Sequence, residues 1–301
     1  MILMKRFGLI GNPISHSLSP ALFRAGYHLD IPGKENDFCY DLIEGDDFSM
    51  SWQKFMDGYD GINVTAPFKE PAFSRCSIID PACRKIGAAN LIVKGESGTK
   101  AYNTDYYGII LSILEAVLQE SDAMDRQHSG CRLNARPSIE DCRKILDGKI
   151  RTALVAGCGG AGKAAAVAAT DLGLDTILMN RTLDKAEKTA EEIGNLTVEP
   201  LSSFPKCFHD ADLIIYTLPA PVDSIASLQP NGQPGMKILL EANYRNPSFG
   251  KEFITGMAAE NNGFKYVPGT RWLLYQAYAG YDLFTGKEPD LEAMAQVVRI
   301  N

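Results

Sequence analysis

Three groups of residues in this 301-residue chain have the types and spacing to do chemistry. The stretch GNPISHSLSP, residues 11–20, follows the apolar run RFGLI and gathers three serines, one histidine and two prolines. A loop of that composition at the mouth of a first strand suits a small polar ligand. Ser15 and Ser17, two residues apart, are its candidate contacts. The second group is GINVTAPFKE, residues 61–70. In a strand running to Thr65, Ile62 and Val64 share one face while Asn63 and Thr65 share the other. Pro67 or Pro71 marks the start of the next helix, so Lys69 falls at or near its positive end. A protonated lysine there is disfavoured. It is either solvated or a residue whose proton is meant to move. Asn90 closes GAAN, whose small residues allow close approach to the strand. Asp105 closes YNTD before a helix, where an ordinary N-cap would account for it.

The third group is ALVAGCGGAGKAAAVAA, with Gly157, Gly159 and Gly162 in G-x-G-x-x-G spacing between an apolar strand and a small-residue helix. Gly157 permits the sharp turn, Gly159 lets backbone approach a pyrophosphate, and Gly162 lets helix and strand pack closely. Backbone N–H groups at the helix start, Gly160 and Ala161 among them, then face the anion. At the end of the next strand an acidic residue indicates NAD, whereas a base indicates NADP. Here DTILM ends in Asn180-Arg181-Thr182, Lys185 follows, and no carboxylate stands between Asp175 and Asp184. The cofactor expected is NADP. A nicotinamide cofactor needs an alcohol or carbonyl substrate with a proton donor or acceptor beside it, and Lys69 is the compact candidate.

These groups need strands and helices to hold them. Strand-like runs alternate with helical ones (RFGLIG then SPALFRAGYHL, DFCYDLIE then DDFSMSWQKFM, GINVT then FKEPAFSRC), which indicates parallel α/β units. ANLIVK and TKAYNT across GESG read as a hairpin, and a helix begins near Tyr106. Residues 119–148 are polar and mixed in charge. They read as a linker or insertion with one short helix at SIEDCRKIL. A second α/β series starts at IRTALVAG, and two helices end the chain. The domains expected are 1–118 completed by 271–301, the connection 119–148, and a dinucleotide-binding domain over 149–270.

Net charge is −7, which disfavours general affinity for nucleic acid or an anionic membrane. No apolar span approaches the ~20 residues that cross a bilayer, and MILMKRFGLI does not read as a signal peptide. Seven scattered cysteines without C-x-x-C suit reduced cytoplasmic thiols and give no zinc site, so a metal-free site is expected.

The series G-x-P-I-x-H-S-x-S-P (11–20), N-V-T-x-P-x-K (63–69), G-A-x-N (87–90) and N-T-D-x-x-G (103–108) resembles the shikimate dehydrogenase family. The glycine loop with N-R-T (180–182) and the late G-x-x-x-L-x-x-Q (269–276) continue the resemblance in the family's order. It implies an N-terminal α/β substrate domain, a Rossmann-like doubly wound NADP domain and substrate between them. It also implies reversible reduction of 3-dehydroshikimate to shikimate, a step towards aromatic amino acids. On the same basis Ser15 and Ser17 would hold the substrate carboxylate, with Tyr244 near it. Lys69 and Asp105 would be the catalytic pair, and Thr65, Asn90 and Gln276 would bind ring hydroxyls. Gly269 would lie with the cofactor residues, and the protein would be a monomer or homodimer.

The sequence departs from the family pattern in four places. Leu91 stands where Thr usually follows Asn90, and IIYTLPA replaces an Asn-Ala-Thr-Pro-like strand end. Glu241-Ala-Asn-Tyr244 replaces Asp-x-x-Tyr, and 119–148 lengthens the connection. Two alternatives accompany the expectation: a quinate/shikimate enzyme with broader acid or NAD use, and a non-catalytic metabolite sensor on the same fold.

Overall fold

The computed structural model describes residues 4–30, 37–121, 134–229 and 235–300. The chain divides into two compact units, Met1–Asp105 with Leu274–Asn301, and Tyr106–Leu273. Parts of the expected connection 119–148 and Cys131 lie outside the described residues.

In the first unit the chain runs β1 (Lys5–Gly11), α1 (Ser19–Gly26), β2 (Phe38–Glu44), α2 (Phe48–Gly58) and β3 (Gly61–Val64). It continues with α3 (Lys69–Arg75), β4 (Ile78–Ile79), α4 (Pro81–Ile86), β5 (Leu91–Gly95), β6 (Gly98–Tyr102) and the start of α5 (Asp105–Ser121). The strands order as β2-β1-β3-β5-β6-β4. β2 and β3 flank β1 in parallel, while β5 and β6 form the antiparallel hairpin that GESG predicts. Because β1 has successors on both sides, the loops after β1 and β3 leave the same end of the sheet at a topological switch point. They are tied there, since Asn12 N donates to Ala66 O at 3.2 Å and Thr65 N to Ile10 O at 3.0 Å.

The second unit follows with α6 (Ile139–Leu146), β7 (Thr152–Ala156), α7 (Gly160–Asp171), β8 (Asp175–Met179), α8 (Leu183–Ile193) and β9 (Leu196–Val198). Then come α9 (Phe204–Asp210), β10 (Leu213–Tyr216), β11 (Lys237–Glu241), α10 (Lys251–Glu260), β12 (Phe264–Pro268) and α11 (Gly269–Thr285), with α12 (Leu291–Ile300) closing the chain. The order β12-β11-β10-β7-β8-β9 is all parallel and is the doubly wound dinucleotide-binding order. Its central strands LIIY and KILLE are buried throughout, because helices cover both faces of a parallel sheet.

The C-terminal helices supply the core of the first unit. Phe284 of α11 stacks on Phe7 of β1 with ring centroids 4.8 Å apart, and Tyr281 packs on Phe23 at 5.0 Å. That packing fixes the rotation of α11 about its own axis, and with it where Gln276 points. In the second unit, buried Lys237 closes the end of α9 by donating to the carbonyls of Phe208, His209 and Ala211 at 2.9, 3.1 and 2.5 Å.

Burial sets the alkaline limit of stability. It pushes the thiols of Cys76 and Cys142 up to about 11 and that of Cys83 to about 12, and it raises Tyr40, Tyr106 and Tyr281. The folded chain therefore keeps protons that the unfolded chain releases from pH ~8.5 upward. This contribution is complete below that pH and is lost as pH rises. Lys237, pushed down to about 8 by burial, works in the opposite sense between 8 and its ordinary value, but it is one group against several. The urea midpoint is expected to fall steadily from pH 8.5 to 10.5. A midpoint that climbed over that range would contradict the assignment.

Candidate active site

In the first unit the sequence-predicted lysine and aspartate meet. Lys69 opens α3, and its Nζ donates to Oδ2 of Asp105, the first residue of α5, at 2.5 Å. Their side chains are only 18% and 11% exposed. The lysine sits at a helix N-terminus where its charge is disfavoured, and the carboxylate at another where its charge is favoured. Each therefore has a reason to keep the other close. An N-cap alone does not account for Asp105, because its carboxylate is engaged with Lys69.

Beside the pair lies an amide cluster whose polarity is fixed by the backbone. Thr104 N donates to Asn90 Oδ1 at 2.7 Å. A peptide N–H can only donate, so the other end of the Asn90 side chain is Nδ2. That end donates to Gln276 Oε1 at 3.3 Å, and Thr104 Oγ1 lies at the same distance from Gln276 Oε1. With its oxygen held inward, Gln276 turns Nε2 the other way. Asn90 is placed by Val64 N donating to its carbonyl at 2.8 Å and by its own N donating to Tyr102 O at 3.0 Å.

Thr65 follows β3 directly, with its side chain over Gly11, which has no room there for a Cβ. Ser15 is exposed in the loop after β1, and Ser17 is half-buried. Ser17 N donates to Ile14 O at 2.8 Å, and Ser17 Oγ donates to Ser19 Oγ at 3.1 Å. Among the described residues, no group of three or more His, Cys, Asp or Glu is placed to hold a metal ion.

In the second unit the glycine turn joins β7 to α7. Gly157 has φ +117°, and a Cβ there would lie 2.3 Å from Thr217 Oγ1. At Gly162 a Cβ would lie 2.0 Å from the Gly157 carbonyl, so only glycine lets the helix pack this close. Gly159, the residue before the helix, has nothing within 4 Å of a Cβ. The turn therefore leaves open space above the first amides of a 12-residue helix, those of Gly160 and Ala161 among them. At the end of β8, Asn180 Nδ2 donates to Thr182 O at 3.1 Å, which shapes the turn into α8. Arg181 and Lys185 are exposed on that turn and on the first helical turn. Both sit at the C-terminal edge of the sheet, one strand away from the glycine turn. Tyr244 is half-buried in the loop after β11, and burial raises its phenol. Gly269 begins α11 packed against the Ala242 carbonyl. Lys69, Asp105, Thr65, Asn90 and Gln276 thus belong to the first unit, as do the serines, while Tyr244 and the glycine-turn residues belong to the second.

Sequence reasoning passed over Thr104, although it stands inside the quoted YNTD, and it gave Asn63 only a face of the strand. It also missed α4, whose signals were all present. Asp80 accepts from Ala82 N, Pro81 begins the helix, and Gly87 ends it at φ +69°.

Residues 9–92 match the family described as shikimate dehydrogenase substrate binding domain, and residues 269–299 match the shikimate 5'-dehydrogenase C-terminal domain. A protein of Rubrobacter xylanophilus named shikimate dehydrogenase (NADP(+)) is 30% identical over 97% of this chain and 94% of its own length. The chain belongs to the shikimate dehydrogenase family. Among solved structures, shikimate 5-dehydrogenase from Thermus thermophilus in complex with NADP(H) and shikimate is 26% identical. It aligns over 99% of each chain with a TM-score of 0.72. Quinate dehydrogenase from Corynebacterium glutamicum in complex with NAD shares the fold at a TM-score of 0.75 and 20% identity, over 99% of each chain.

For this family member the glycines of the turn separate into two kinds by substitution. Gly157→Ala meets both an unfavourable φ and the Thr217 hydroxyl, and is expected to lower the melting temperature by several degrees, a cost of about 1–3 kcal/mol. Gly159→Ala has open space and ordinary φ, and is expected to leave melting within about a degree of wild type. Circular dichroism melts of the two variants check the contrast.

Proposed function

We propose that this chain is an NADP-dependent shikimate dehydrogenase, reducing 3-dehydroshikimate to shikimate and running in reverse. The observation that carries the reading is the partly buried Lys69–Asp105 pair beside the amide cluster of Asn90 and Gln276. The named relatives support the choice of substrate and cofactor.

A polyhydroxylated ring acid presents many donors and acceptors, and the first unit offers a matching set. Ser15 and Ser17 would take the carboxylate, and Thr65, Asn90 and Gln276 the ring hydroxyls. The family resemblance adds Tyr244 as a residue near the carboxylate. The fixed amide polarity means that Asn90 and Gln276 present N–H groups, so the oxygens facing them accept, while a hydroxyl facing Asp105 donates. An analogue lacking one hydroxyl leaves a buried partner unpaired and is penalised.

The residues of the second unit fit a nicotinamide dinucleotide. Open space over Gly159 and the amides of Gly160 and Ala161 suit a pyrophosphate. Asn180, Arg181, Thr182 and Lys185 suit a 2'-phosphate, the two cations outnumbering Asp184, the one carboxylate in that stretch. When bound, the cofactor supplies or removes the hydride at the ring carbon. The protein's part is the oxygen on that carbon. Lys69 donates a proton to it as negative charge develops, or in the reverse direction takes the proton from the alcohol. Asp105 keeps the ammonium aimed and compensates its charge throughout, so little reorganisation is needed as charge moves.

Absorbance of the reduced nicotinamide, followed with shikimate and NADP, tests the reading. Wild type is expected to turn over, and Lys69→Ala to lose about 10³-fold in kcat with KM for shikimate changed less than about 5-fold, since proton transfer matters in the transition state. Binding of both ligands without turnover by wild type would favour a sensor instead, and a preference for quinate with NAD would overturn the substrate. Cofactor choice is tested separately. Arg181→Ala is expected to raise KM for NADP about 10- to 100-fold while changing KM for NAD less than about 3-fold, because the guanidinium's partner is the 2'-phosphate.

A further inference from the structure

Behind the candidate site runs a buried chain of hydroxyls and amides. Ser17 Oγ donates to Ser19 Oγ at 3.1 Å, and the Ser19 side chain reaches the Tyr40 hydroxyl. Tyr40 Oη donates to Asn63 Oδ1 at 2.7 Å, and Asn63 Nδ2 donates to the Asn90 carbonyl at 3.3 Å. From Asn90 the chain passes to Thr104 and Gln276 as described above. Ser19, Tyr40, Asn63, Asn90 and Thr104 are all buried, so none of these groups has bulk water as an alternative partner.

We propose that Tyr40 is a positioning residue for the substrate site, its hydroxyl holding Asn63 in the one amide orientation that can bind the Asn90 carbonyl. The inference rests on the functional reading above and extends it to a residue outside the expected contacts. The Asn90 carbonyl can only accept, so the end of Asn63 facing it must be Nδ2. Oδ1 then faces β2, where the Tyr40 hydroxyl supplies its hydrogen. A flipped Asn63 would set two oxygens against each other at the Asn90 carbonyl, so that end selects the orientation. The Tyr40 hydroxyl, by donating to Oδ1, satisfies the selected orientation at its other end and holds it there. With phenylalanine in its place, Asn63 Oδ1 is buried and unpaired, and the asparagine gains nothing on the β2 side by staying as it is.

The consequence reaches the ligand through Asn90. Its carbonyl is held by Asn63 and Val64, its own N by Tyr102 and its Oδ1 by Thr104, which leaves Nδ2 as the end directed at Gln276. Loosening the carbonyl shifts the amides that read ring hydroxyls, while Lys69 and Asp105 keep their own contact. Because Tyr40 also lies against Ser19, one side chain joins the serine end of the site to its amide end.

The test is Tyr40→Phe, with Asn63→Leu as a second variant, assayed with shikimate and NADP. Tyr40→Phe is expected to raise KM for shikimate about 10-fold, leave kcat within about 3-fold and leave KM for NADP unchanged. In an Asn90→Ala background the same substitution is expected to change KM for shikimate less than about 2-fold, because its route to the ligand is gone. A purely structural role would lower kcat in step with the folded fraction and leave KM alone, and that result would overturn the proposal. So would a full 10-fold effect that persisted in Asn90→Ala. Hydrogen exchange separates this proposal from the functional reading. If wild type fails to turn over shikimate, the assignment of function falls, and the amides of Val64 and Thr104 still decide. Exchange about 5-fold faster in Tyr40→Phe supports positioning; rates equal to wild type overturn it.

Discussion

The ion pair between Lys69 and Asp105 is the constraint around which the first unit is arranged. Both groups stand at helix N-termini, and both are mostly removed from water. A lone ammonium at the start of α3 would face the positive end of the helix and pay for lost hydration as well. The carboxylate at the start of α5 removes both penalties, provided that the loop after β3 and the loop after β6 come together. The sheet order achieves this, since β5 sits between β3 and β6 and holds their C-terminal connections within one side chain's reach. A lysine held this way keeps its aim.

The amide cluster beside the pair follows a related logic. Backbone N–H and C=O groups cannot reverse roles, and each amide side chain in the cluster touches one of them or touches another that does. Orientation therefore passes outward from the main chain through Asn90 to Gln276, and through Asn63 to Tyr40. A site meant to distinguish hydroxyls on one ring needs that fixed polarity, because a freely turning amide would accept a donor or an acceptor equally well.

Much of this was legible in the sequence, and the reasons are specific. The alternation of strand and helix patterns predicted both parallel series, because buried parallel strands such as LIIY and small-residue helices such as GKAAAVAA leave few other readings. The glycine spacing predicted the turn because steric contact at Gly157 and Gly162 admits no side chain. Residue pattern alone offered Lys69 and Asp105 as separate candidates, since 36 residues separate them and no local pattern reports a contact across that distance; only the family resemblance joined them as a pair. Thr104 and Tyr40 were invisible for a different reason. A threonine before a helix and a tyrosine in a strand are what ordinary capping and packing use, and only their hydrogen-bond partners mark them out. The signals of α4 are, by contrast, all local: Asp80 caps it, Pro81 begins it and Gly87 ends it.

The first unit is assembled from both ends of the chain. Phe7 near the start stacks on Phe284 near the end, and Tyr281 donates to the Ser19 carbonyl at 3.0 Å. A ribosome adding roughly 5–20 residues per second takes on the order of ten seconds or more to make the intervening segment. Throughout that time the opening strands have emerged with part of their apolar lining still unsynthesised. The second unit, being continuous, can close on itself before the two helices that complete the first unit have been made. For this polypeptide, the unit begun first is the one whose apolar lining is synthesised last.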